Sequence, residues 1–143
     1  MRPNFGTHMP KPPERPQRKI AAEFYQTEAA NEPVREWLKA LPKEDRQEVG
    51  RDIRKTEYGW PLGMPTCDSL GNGLWEVRTN LGDRVARVFF CMVGARMILL
   101  HGIIKKSRTA PKVDLDTARS RKRNLEERLR VLAVNQGKSR SQT

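Results

Sequence analysis

Three short stretches carry the residues of this sequence best suited to handling a phosphate group. "LWEVRTNL" (74–81) sets Glu76 and Arg78 two positions apart, and "RVARVFFCMV" (84–93) holds Arg87 between the apolar Val85 and Phe89. "RMILLHGIIKK" (96–106) carries His101 and ends in Lys105 and Lys106. Guanidinium groups grip a phosphate through forked hydrogen bonds, and an ammonium acts on it as a compact charge. Alternate residues of a strand share a face, so Glu76 and Arg78 lie on one face with Trp75 and Val77 on the other. By the same rule His101 and Lys105 share one face, and Gly102 and Lys106 the other. Run as adjacent antiparallel strands, the three stretches bring Arg78, Arg87 and a lysine together on one side. Each residue also has a plain structural reading. Arg78 and Glu76 form an ion pair, Arg87 partners a helix carboxylate, His101 is a satisfied core histidine, and the lysines are a solvated strand end.

These strands need a body to hold them. The separators "GD" and "GA" have hairpin length and composition, which makes the three strands a meander. Residues Ile20 to Gln26 read as a first strand. Asn31 is the expected N-cap of a helix with Pro33 in its first turn and Val34, Trp37, Leu38 and Leu41 on one face. Val49, Ile53 and Thr56 mark a second helix ending near Gly59. From Trp60 to Gly73 the chain is dense in Gly and Pro and reads as an irregular connection. A C-terminal amphipathic helix over 112–132 places Leu115, Ala118, Leu125, Leu129 and Leu132 on one face. The expected fold class is α+β: a small antiparallel sheet, made of an N-terminal strand and the meander, with two N-terminal helices packed on it and a C-terminal helix.

The flanks lie outside this body. Residues 1–18 hold five prolines and several cations without periodicity, the pattern of a flexible basic arm, and "GTHM" at 6–9, with His8, resembles a residual cloning sequence. The domain is expected over 19–133 and a polar tail over 134–143. With 28 Lys and Arg against 17 Asp and Glu, a formal charge of +11 and a pI near 10.3, the partner is polyanionic: nucleic acid or an anionic surface. The two cysteines, Cys67 in a loop and Cys91 in an apolar strand, have no motif spacing, which argues against a disulfide framework or a zinc site. No apolar run has membrane-spanning length and no h-region marks a signal peptide, so the expected location is cytoplasmic, with no membrane partner, no metal and no cofactor.

The stretches "FYQTEAANEPVREWLKALPKEDR", "LWEVR", "ARVFF" and "LLHGIIKKSRTAPKVDLDTAR" resemble, in that order and over roughly residues 19–120, the RelE/ParE toxin superfamily and its phage-derived HigB-like branch. The proline-rich arm, the basic tail and Ile104, where an aromatic commonly precedes the lysines, depart from the pattern. The resemblance implies a RelE-like fold and the toxin of a type II toxin-antitoxin system, a metal-independent endoribonuclease that cuts mRNA on the ribosome. Its implied partners are a cognate antitoxin, in a hetero-oligomer, and the ribosome with its mRNA.

The resemblance also implies roles for residues. Arg78, Arg87, Lys105 and Lys106 carry over as catalytic positions, with Glu76 and His101 as further participants. Arg108, Lys112 and Arg119 are expected to bind RNA without acting in the chemistry. RNA cleaves when its 2′-hydroxyl attacks the adjacent phosphorus, and fixed cations stabilise the charge that grows on the phosphoryl and leaving oxygens. Glu76 or His101 would accept the 2′-proton. Two other functions fit the same fold: non-hydrolytic inhibition of DNA gyrase, as in ParE-like relatives, and plain nucleic-acid binding by a phage-related protein.

Overall fold

The computed structural model describes residues 16–141, so most of the expected N-terminal arm, and His8 with it, falls outside the described residues. In chain order the elements are β1 (Ala21–Phe24), α1 (Pro33–Ala40), α2 (Lys43–Gly59), β2 (Cys67–Gly71), β3 (Leu74–Leu81), β4 (Arg84–Val93), β5 (Arg96–Lys105) and α3 (Lys112–Ser141). The strands form one sheet in the order β1-β5-β4-β3-β2. β3, β4 and β5 are the expected meander, joined by the two-residue turns at Gly82–Asp83 and Gly94–Ala95. β1 joins it in parallel, Phe24 beside Leu99.

Alternation sorts the sheet into two apolar faces, each covered by helices. Val77, Val88, Phe90, Met97 and Leu99 pack with Val34, Val49 and Ile53 of α1 and α2. Leu74, Phe89, Cys91, Ile98 and Leu100 pack with Ala118, Leu115 and Leu125 of α3. A register shift between Phe89 and Phe90, opposite His101 and Leu99, inserts Leu100 as an extra residue. An inserted residue breaks the alternation, and Leu100 and its neighbour His101 both meet α3.

Several local expectations change. The connection over 60–73 contains a strand: β2 pairs with β3 through an Asn72–Gly73 turn in which both residues have positive φ, +53° and +77°. That backbone is the I′ turn that Asn-Gly favours, because Asn tolerates and Gly readily adopts the left-handed region. Cys67 is therefore not in a loop but buried at the start of β2, its Sγ 3.4 Å from Thr56 Oγ1. Asn31 is not the N-cap of α1. Glu32 holds that place, and the Asn31 N–H donates to Thr27 Oγ1. α3 does not stop at 132 but continues to Ser141, through the stretch expected to be a polar tail. Leu132 is exposed because every described side chain from Arg130 onward lies clear of the sheet.

Cys91 gives one consequence with pH. It is 3 % exposed, and burial, with a smaller push from Glu126 outweighed by the pull of Lys122, moves its thiol pKa up to about 11. The unfolded chain's thiol ionises near the ordinary value of about 8.5. Between these values the folded state keeps a proton that the unfolded state has lost, so stability falls as pH rises through that window and is untouched below it. Cys91→Ala is expected to lose less stability from pH 8 to pH 11 than the parent does, by on the order of 2 kcal/mol in urea titrations. Parallel losses in the two proteins would show that the buried thiol does not ionise with this penalty.

Candidate functional site

Arg78 of β3 stands directly opposite Arg87 of β4, and Arg87 opposite Ile103 of β5. The sheet thus brings the expected arginines side by side, but it treats them differently. Arg87 is 1 % exposed. Its Nη1 donates to Glu76 Oε1 at 2.8 Å, and its Nη2 donates to the carbonyl of Ser107 at 3.3 Å and to that of Arg108. The partner is a strand carboxylate, not the helix carboxylate of the plain reading. Glu76, 2 % exposed, is held between this guanidinium and Arg78, whose Nε lies 3.9 Å from the same oxygen. Glu76 and Arg87, both expected at the catalytic centre, are thus closed to solvent in the sheet.

The chain after β5 explains why a buried arginine stands here. Lys105 ends the strand, and 106–110 turn back toward α3. Two carbonyls in that turn need donors, and the Arg87 fork supplies them from inside the sheet. Lys105, Lys106 and Arg108 are exposed on this fastened segment. Lys106 reaches Asp83 in the β3–β4 turn at 3.4 Å, with both side chains more than two-thirds exposed, a contact too solvated to fix it. Lys105 lies two strands and two residues from Arg78, about 12 Å between Cα atoms by ordinary strand spacing. Side chains of that length can reach neighbouring oxygens of one nucleotide from those positions.

His101 lies elsewhere. Its ring stacks on Phe89, 5.9 Å between centroids, beneath α3. Arg121 donates to its Nδ1 at 3.2 Å, which leaves Nε2 to donate to Asp114 Oδ1 at 2.8 Å. Both ring nitrogens of this expected proton acceptor are engaged within the fold. Asp114 and Arg121, which set this state, were not foreseen. They lie 13 and 20 residues beyond His101, and no local pattern ties them to it. Burial lowers the Arg121 pKa from its ordinary value, and the same guanidinium donates to the Leu100 carbonyl at 2.8 Å.

The helix cations divide in the same way. Arg119 donates to the Leu70 carbonyl at 3.0 Å and Arg128 to that of Gln26 at 2.6 Å, so the first pins α3 to β2 and the second to the loop after β1. Lys112 and Arg123 stay exposed.

Residues 36–123, more than half of the chain, match the family described as Phage derived protein Gp49-like. The chain belongs to that family. The Gp49-like family is RelE-like and associated with toxin-antitoxin systems, and the α+β sheet with its flanking helices agrees with a RelE-like fold. No curated protein matches the chain. The Gp49-like match runs from α1 into α3 and so contains Arg78, Arg87, the fastened lysines and His101. Among the described residues no helix is long and apolar enough to cross a membrane.

Proposed function

We propose that this Gp49-like protein is the toxin of a HigB-like toxin-antitoxin pair and that it cleaves mRNA held on the ribosome. The observation that carries the reading is the Arg87 fork. A buried guanidinium fastens the carbonyls of Ser107 and Arg108 and so presents Lys105, Lys106 and Arg108 on rigid backbone near Arg78. A lysine on a free loop would lose backbone freedom during the reaction, whereas one on a fastened strand end has lost much of it already. Arg78 and a lysine stabilise the phosphoryl and leaving 5′-oxygen as the 2′-oxygen bonds to phosphorus. The P–O5′ bond breaks and the leaving 5′-oxygen takes up a proton from water, giving a 2′,3′-cyclic phosphate and a 5′-hydroxyl. Arg87 acts here as a positioning residue. Arg108 and Lys112 attract the RNA chain.

Glu76 and His101 are enclosed, so the 2′-proton passes to water or to a group of the ribosomal complex, and the site depends on its substrate being held in place. Such orientation can account for about 7–11 kcal/mol of a barrier. The antitoxin supplies an acidic segment that covers the cations, with an affinity that weakens as salt rises.

The test is single-turnover cleavage of ribosome-bound mRNA beside the same RNA free in solution. Ribosome-bound mRNA is expected to be cut and free RNA cut poorly. Arg78→Ala and at least one of Lys105→Ala and Lys106→Ala should lose about 100-fold or more. Arg108→Ala should mainly lose affinity in a salt-dependent way. If all four variants cut within a few-fold of the parent, or bound and free RNA are cut alike, the reading fails. Mapping RNA 5′ ends together with DNA supercoiling in cells that express the chain separates it from gyrase inhibition, which would alter supercoiling and leave RNA intact.

A further inference from the structure

β2 is shorter than its neighbour, and its pairing with β3 stops at Val77, after which the Thr66 carbonyl accepts the Arg78 N–H at 2.7 Å. Past that point β3 has no strand beside it on this edge. A cavity of about 420 Å³ occupies the place, between the end of β3 and α2, lined by Glu48, Asp52, Pro65, Thr66, Arg78, Thr79 and Asn80. The lining is unlike the rest of this basic chain. Two carboxylates, one helical turn apart on α2, form one wall, and hydroxyl and amide groups form most of the other. Thr79 is 2 % exposed, and its Oγ1 is buried with no hydrogen-bond partner among the described residues. That oxygen is closed to solvent, so the polar groups open to the cavity come from the carboxylates, Arg78 and Asn80.

The polar groups specify what fits. Carboxylates only accept hydrogen bonds, so the occupant must donate them. They repel a phosphate, while Arg78 at the edge of the same cavity attracts one. A group of N–H donors joined to an anion a short distance away is the description of a nucleotide whose base carries an exocyclic amine. We propose that this cavity is a base pocket that takes an amino-bearing nucleobase of RNA, with Arg78 on the adjoining phosphate. Asp52 and Glu48, the latter also paired with Arg51 at 3.1 Å, accept from the amine, and the exposed Asn80 completes the base edge. The proposal rests on the reading of the chain as an RNA-acting protein and assigns that activity a base preference, against uracil.

The experiment is nucleotide titration of the full chain followed by NMR, with the amides of Thr79 and Asn80 as reporters, using CMP against UMP, GMP against IMP, and inorganic phosphate. CMP and GMP are expected to bind about tenfold or more tightly than their amine-free counterparts. Asp52→Asn should erase the difference, and Glu48→Gln serves if that variant does not fold. Asn80→Ala should weaken CMP and GMP binding without lowering stability. Inorganic phosphate should bind weakly and equally to the parent and to Asp52→Asn. Equal binding of amine-bearing and amine-free nucleotides, or a preference that survives both carboxylate variants, overturns the pocket. Cleavage of ribosomal mRNA without base preference would sink the pocket alone, whereas base-selective binding without cleavage would sink the nuclease reading and leave the pocket standing.

Discussion

Arg87→Ala is expected to destabilise the protein by about 3–5 kcal/mol, because it leaves Glu76 as an unpaired carboxylate in the sheet. The loss has two parts. Glu76 keeps only the distant contact with Arg78, and the carbonyls of Ser107 and Arg108 lose their buried donor. Replacing both members of the pair by apolar groups removes the first part, since such exchanges are often neutral or stabilising. The double variant Arg87→Met with Glu76→Leu should therefore recover most of the stability. It should not recover the order of the segment that carries Lys105 and Lys106. Urea unfolding measures the first expectation, and amide exchange at residues 105–109 of the refolded double variant measures the second. A single variant that loses less than about 1 kcal/mol, or a double variant whose segment exchanges like the parent's, would show that the fork does not hold this region.

Gly102→Ala is expected to cost about 3 kcal/mol, the upper part of the usual range for overpacking. A Cβ at this position would lie 2.4 Å from Cε3 of Trp37 and within 2.7 Å of two further ring atoms. The ring crosses β5 here with α1 behind it, so it cannot move aside without opening the helix contact. Trimming the ring should restore room. Trp37→Leu alone leaves a gap beside Gly102, and Gly102→Ala partly fills that gap, so the double variant should be more stable than the sum of the two losses by at least about 1 kcal/mol. Simple additivity in a double-mutant cycle would mean that the two residues do not share this space.

Much of the fold was legible because its strands are regular. β3 and β4 fall on the expected residues and β5 ends one earlier, since alternation and two-residue turns define register with little help from the rest of the chain. β2 escaped because "CDSLG" is short and polar. The indicator was the Asn72–Gly73 pair beside it, a strong hairpin marker hidden among neighbouring glycines and prolines. The parallel pairing of β1 with β5 could not be read at all, because nothing local to "AAEF" names a partner so far along the chain.

The site was legible by face but not by depth. Period-two alternation placed Arg78 and Arg87 together. Whether a strand arginine meets solvent or carbonyls depends on where the chain goes after the sheet, here the turn at Ser107 and Arg108. His101 illustrates the same limit, as its state is set by Asp114 and Arg121 of α3. The cavity beside Arg78 left no mark in the sequence because it follows from the length of β2.

The parallel seat of β1 also sets an order of events as the chain is made. Phe24 must wait for Leu99 before it has its strand partner, an interval of several seconds at about 5–20 residues per second. The meander, built from contacts between close neighbours, can form first. Lys105, Lys106 and the turn that Arg87 fastens emerge only after β5. The cationic rim therefore takes shape only after β1, α1 and α2 have been made.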